Sequence, residues 1–258
     1  MPFRKLLAAG LLFLLQASLA HAALSDEIQV YTDDLTEQGG FGVELHVITL
    51  PKGRKEPDYQ GESVPYHSLY TTAELSWGLT PTTDIGLYIP GVRDGTTGRI
   101  ELAGLKGRFK WLPVKGDEIN GGWFSGVNFE LGNVAHQYNQ VRTNLEVRFM
   151  AGWRDANWLL GINPVLGYEL SDNPAGHPGY GFGLKATRRV APGIALGTEY
   201  YTDRGNIGHT LPWEQQDNRL FLVMDYDRKP WNFNFGIGRG FTHAADKLTI
   251  KTIFELPF

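Results

Sequence analysis

Lys106, Arg108 and Lys110 place three cations at every second position of one short run. In an extended strand alternate residues share a face, so all three project to the same side. Such a stripe could steer anionic solutes. It could equally be neutralised by carboxylates on neighbouring strands, for which Glu130 and Glu146 are the candidates. Asn128, Asn144 and Arg148 belong to the same polar faces, which Glu169, Lys185, Glu199, Arg219, Asp225, Asn232, Asn234, Lys251 and Glu255 continue later in the chain. A ring of one sign would point to ion selectivity, whereas both signs together point to salt bridges filling a narrow lumen. The residues expected to line that lumen are Lys106, Arg108, Lys110, Glu130, Glu146 and Arg148.

Five histidines, His67, His136, His177, His209 and His243, fall in or beside connections between strands. Imidazoles converging on one rim could bind copper or zinc, but no pair has helical or hairpin ligand spacing, so no metal is expected. The absence of cysteine removes disulfides, thiolate zinc sites and cysteine nucleophiles. Gly-x-Ser-x-Gly does not occur, and Ser68 follows His67 directly, so the two would face opposite ways on a strand. Asp203, His209 and Glu214 lie close together in sequence without a hydrolase pattern. No catalytic residue and no cofactor is expected. A net charge of −4 argues against a duplex nucleic-acid partner.

These residues need a frame. Residues 1–22 read as a secretory signal peptide: Arg4 and Lys5, an apolar run from Leu6 to Leu15, and Ala20-His21-Ala22 for cleavage. Beyond it the period is two nearly everywhere. Leu69, Thr71, Ala73, Leu75 and Trp77 alternate with Tyr70, Thr72, Glu74, Ser76 and Gly78, and similar runs of about ten residues recur to the C-terminus. Roughly ten residues tilted near 45° cross a bilayer as a strand. The pattern predicts an all-β fold: a transmembrane antiparallel β-barrel of about twelve strands over residues 41–258, with short periplasmic turns and longer extracellular loops. One of the twelve strands is expected over 99–111. Six tryptophans, at 77, 111, 123, 153, 158 and 231, fall beside the short connections, as a girdle at the periplasmic interface would. Residues 23–40 lack this alternation and are expected as a periplasmic N-terminal segment, with an inward plug or an extension of the first strand as alternatives.

Two stretches carry a resemblance. Glu27 to Val47 (EIQVYTDDLTEQGGFGVELHV) and Ala73 to Pro90 (AELSWGLTPTTDIGLYIP) resemble proteobacterial outer-membrane barrels described as transporter-like, or as related to the outer-membrane protein of phenol meta-cleavage pathways. The resemblance implies about twelve strands and passage of small hydrophobic molecules, with no catalytic residues to carry over. The C-terminal strand, ending at Phe258, resembles the signal read by the barrel assembly machinery. The expected partners are thus that machinery, outer-membrane lipids, lipopolysaccharide and a small solute, in the outer membrane of a Gram-negative bacterium. The expected function is a passive channel for uptake of a small, hydrophobic or aromatic solute. The alternatives are a barrel enzyme acting on lipid or lipopolysaccharide and a structural barrel without transport.

Overall fold

The computed structural model describes residues 26–171, 176–229 and 231–256; the stretch expected as a signal peptide and Phe258 lie outside them. Twelve long strands form the wall: β1 (Phe41–Lys52), β2 (Leu69–Thr80), β3 (Thr83–Arg93), β4 (Gly104–Val114), β5 (Gly122–Val134), β6 (Thr143–Arg154), β7 (Trp158–Glu169), β8 (Gly179–Ala191), β9 (Ile194–Asn206), β10 (Asp217–Arg228), β11 (Trp231–Gly240) and β12 (Leu248–Leu256). Each pairs antiparallel with its sequence neighbour. β1 also pairs with β12, which closes the sheet and leaves no edge. The run expected as one strand over 99–111 is broken at Ala103. Ile100–Leu102 pairs with β3 one residue out of step with β4, and the extra residue is a bulge that buries Ala103.

Closure follows from the two-faced strands. On β2 Tyr70, Thr72, Glu74, Ser76 and Gly78 are buried on the inner face, while Leu75, Trp77 and Leu79 are exposed outside. The outer surface is a continuous apolar belt: Leu87, Phe109, Phe129, Phe149, Leu160, Leu196, Leu222 and Ile237 are all exposed. A belt this large has no place in water and is the lipid-facing surface of a membrane barrel. Trp77, Trp111, Trp123, Trp158 and Trp231 are exposed at the short-turn end, Trp153 sits opposite Trp123, and Phe41 stacks on Trp77 at 5.6 Å. They form the interfacial girdle. No helix of the described residues is long and apolar enough to cross a membrane; strands make the crossing. The protein is an outer-membrane β-barrel, with the short turns at the periplasmic end.

The N-terminal segment corrects the expectation of a periplasmic location. Residues 26–38 run inside the barrel, with Asp26, Ile28, Val30, Tyr31, Thr32 and Asp33 buried. Lacking neighbours of its own, this stretch satisfies its backbone on the wall. The side-chain amide of Asn163 on β7 accepts from the Tyr31 N–H at 2.6 Å and donates to the Tyr31 carbonyl at 2.9 Å, as a strand would. The segment leaves the lumen beside Gly78, where the Gly39 N–H donates to the Gly78 carbonyl at 2.8 Å.

Gly78 permits this exit: a Cβ there would stand 2.0 Å from the Glu37 carbonyl oxygen. Gly78→Val is expected to displace residues 36–39 and to cost about 1–3 kcal/mol through overpacking. Thermal unfolding followed by circular dichroism, with proteolysis of the N-terminal segment in detergent, checks both effects.

Candidate functional site

The segment is held by charge. Lys106 on β4 donates to Asp26 at 2.8 Å and reaches Glu130 on β5 at 3.2 Å. Arg148 on β6 contacts Glu146 at 2.8 Å and Glu27 at 3.6 Å, donates to the Gln29 carbonyl at 3.1 Å, and lies over the Tyr31 ring. Lys251 on β12 donates to the Ile28 carbonyl at 2.7 Å and to Glu199 at 2.5 Å. Towards the periplasmic rim Arg154 pairs with Asp33 at 2.7 Å, and the Thr36 N–H donates to Asp84 at 3.1 Å. A charge in an interior walled off from solvent persists only when paired, and the segment supplies many of the partners.

All six lumen candidates face inward. Of the stripe, Lys106 is shared by Asp26 and Glu130. Arg108 bridges Glu74 at 2.7 Å and Asp84 at 3.0 Å. Lys110 stands over the Tyr31 ring at 4.7 Å and donates to the Asp34 carbonyl at 3.4 Å. Glu146 pairs with Arg148 rather than with the stripe.

Beside Arg108 lies a group the sequence reasoning missed. His46 on β1 is fully buried, with Nε2 3.2 Å from Glu74 and 3.8 Å from Glu44. Among the described residues Glu44, His46 and Glu74 are the only three ligating side chains close enough to hold a metal. Arg108 already occupies Glu74, so the arrangement is a salt-bridge network that includes an imidazole. The Glu44–Glu74 register across β1 and β2 creates it.

The loop-side half of the lumen is asymmetric. Ile28 packs with Ile48, Leu50, Tyr70, Val92, Ala103, Val134 and Tyr138, and with Phe221 and Val223 of β10, in one apolar cluster. Beside it a cavity of about 270 Å³ remains, lined mostly from β6–β10 and also by Lys106 on β4 and Glu130 on β5. Its floor is Glu27–Gln29, and its wall includes Glu130, Glu146, Arg148, Tyr201, Asp217 and Arg219. Glycines open it. Gly167, Gly179, Gly181 and Gly183 all line it, and a Cβ on Gly167 would meet nothing within 4 Å. Gly183 instead receives Val30 of the segment, 3.2 Å from where its Cβ would lie. The Gly-Tyr-Gly-Phe-Gly run at 179–183 is the sequence signal that could have disclosed this wall.

Above the lumen the extracellular loops tie together. Arg54 pairs with Asp58 at 2.6 Å and Glu62 at 2.9 Å, and its N–H donates to Asp246 at 2.8 Å. Ser63 donates to Asp94 and, through its N–H, to the Gln137 carbonyl. The five loop histidines are divided among separate contacts. His67, in a left-handed conformation (φ 60°), meets Tyr66; His136 meets Tyr59; His177 meets His209 at 6.0 Å; and His243 approaches Glu214 at 3.8 Å. The Ser68 hydroxyl lies against the Val64 carbonyl and the Gly95 N–H, away from any catalytic arrangement with His67.

No family model matches the chain, and no curated protein matches it. Among solved structures it is similar to outer membrane phospholipase A from Escherichia coli (10% identity, 89% of this chain and 92% of that one, TM-score 0.46). It is also similar to LpxR from Salmonella typhimurium (10% identity, 84% and 100%, TM-score 0.42) and to a bacterial polysaccharide outer membrane secretin (9% identity, 87% and 100%, TM-score 0.43). Scores this low carry no chemistry from those chains to this one.

Two outcomes follow from the charge geometry. Lys251→Met leaves Glu199 short of a buried partner and the Ile28 carbonyl without its donor, and is expected to cost about 3–5 kcal/mol in denaturant unfolding. In the first loop, burial pushes the Asp58 carboxyl up to about 6, against the pull of Arg54. A raised carboxyl stabilises the fold fully below its unfolded value of 3.8, and that contribution is lost as pH rises through about 6. The thermal midpoint should therefore fall between pH about 4 and about 6, and Asp58→Asn should flatten that dependence.

Proposed function

We propose that this barrel is a passive channel for uptake of a small solute, held closed by its own N-terminal segment. The cavity carries the reading: a solute-sized space on the extracellular half of the lumen, whose floor is the segment rather than the wall. Ile28, Val141, Val165 and the Tyr201 ring offer apolar and aromatic surface, and charged groups surround them. This suits a small hydrophobic or aromatic molecule with a polar group, since specific pockets combine an apolar lining with few polar contacts. Passage requires the segment to shift, because Asp26–Asp33 occupies the lumen below the cavity. The stripe serves as an anchor in this reading: Asp26 and Glu130 meet Lys106, Glu74 and Asp84 meet Arg108, and Lys110 holds Tyr31 and the Asp34 carbonyl of the segment. The outer belt faces lipid and lipopolysaccharide, and the C-terminal strand is what the assembly machinery reads.

Planar-bilayer recording tests this. The chain from residue 23 is expected to give small or infrequent conductance steps. A variant lacking residues 26–38 should give severalfold larger and persistent ones. Silence in both, with both barrels folded by heat-modifiable gel mobility, would exclude a channel.

A further inference from the structure

Two cations of the cavity lining are each shared by two acids. Lys106 serves Asp26 and Glu130, and Arg148 serves Glu27 and Glu146. Arg219 pairs with Asp217 at 2.9 Å, and Asp203 stands directly opposite Asp217 in the β9–β10 register. Like charges facing each other across a ladder repel. By contrast, Lys185 and Lys251 meet Glu199 and Asp225 in a balanced set. In the cavity lining acids thus outnumber cations.

A second observation concerns satisfaction. At Asp217 and Arg219 both signs are left over: Asp217 Oδ1 accepts no hydrogen bond, and Arg219 Nε and Nη1 donate none. The side chains of Glu27 and Glu130 are 3% and 7% exposed and line the cavity, yet Glu130 Oε2 accepts no hydrogen bond and Glu27 Oε1 has only Arg148, at 3.6 Å. A buried carboxylate oxygen without a donor costs about 1–3 kcal/mol or more, so these atoms call for N–H donors carrying positive charge. A bare metal ion does not fit, because the cavity carboxylates do not converge: the three-ligand group among the described residues is the Glu44–His46–Glu74 set elsewhere in the lumen. The space is also too large for an ion, and it presents the Tyr201 ring, a surface suited to a cation.

We infer that the cavity binds a small organic cation, a protonated amine on an apolar or aromatic body, with the ammonium beside Glu27 and Glu130. This deepens the channel reading by naming the solute class. Glu27 belongs to the segment and Glu130 to the wall, so the bound amine touches both.

The test is calorimetric titration of the chain from residue 23, in detergent micelles at low ionic strength, with benzylammonium, benzoate and benzyl alcohol. Benzylammonium is expected to bind at least about tenfold more tightly than the other two. Glu27→Gln and Glu130→Gln should each weaken it severalfold. Gly167→Trp, whose side chain enters open space, should abolish it and serves if a carboxylate variant fails to fold; heat-modifiable mobility reports folding in every case. Benzoate or benzyl alcohol binding as tightly, or full binding retained by folded Gly167→Trp, overturns the inference. Micelle binding does not need conduction, so the two readings fail separately. Amine binding by a barrel that never conducts removes the channel and keeps the site. A conducting barrel that prefers benzoate keeps the channel and removes the amine.

Discussion

The pairing of charge inside a closed wall is the constraint on which the rest depends. A strand that turns apolar residues to lipid must turn its remaining residues inward, and here many of those are Lys, Arg, Asp and Glu. At twelve strands the lumen lies between the filled eight-stranded barrel and the water-filled sixteen-stranded porin. Its charges can rely neither on bulk water nor on apolar neighbours. They rely on one another and on the N-terminal segment, whose Asp26, Glu27 and Asp33 answer Lys106, Arg148 and Arg154. The segment is therefore a structural component of the lumen as much as an obstruction in it.

The filling is uneven, and the unevenness is chemical. On the β1–β5 side the inward positions near the loops are Ile48, Leu50, Tyr70, Val92 and Val134, which pack into a dry cluster with Ile28. Phe221 and Val223 of β10 join that cluster, while elsewhere on β6–β10 the corresponding positions include glycines and leave the cavity. One part of the mouth is thus cohesive and the other hollow. A single residue pair at the head of the segment, Glu27 and Ile28, faces both halves.

The wall was legible in the sequence because lipid enforces a strict period of two. Trp77, Trp123 and Trp231 sit where their spacing from the tight turns placed them, and the inward aim of Lys106, Arg108 and Lys110 follows from parity alone. Partnership was legible only within the wall, where Glu130 meets Lys106 as expected and Glu146 does not; the partners in the segment were not. Asp26 lies 80 residues from Lys106, and Ile28 lies 223 residues from Lys251, in a segment with no alternation to read. His46 shared the parity of the other inward residues, but its closeness to Glu74 depends on the β1–β2 register, which no local pattern reports. The break at Ala103 likewise follows from a bulge that Leu102-Ala103-Gly104 does not announce.

The seat of the N-terminal segment has a consequence for the order of assembly. Its contacts reach Tyr88 on β3, Lys106 on β4, Arg148 on β6, Asn163 on β7 and Lys251 on β12. These strands surround one space only after the last strand has met the first. Contacts of such sequence separation form late and slowly. The first residues of the barrel domain to be synthesised are thus among the last to reach their native places. Until then the nascent cylinder carries an unfilled, charge-lined interior, and the arrival of the segment is the event that distinguishes a finished molecule from a merely closed one.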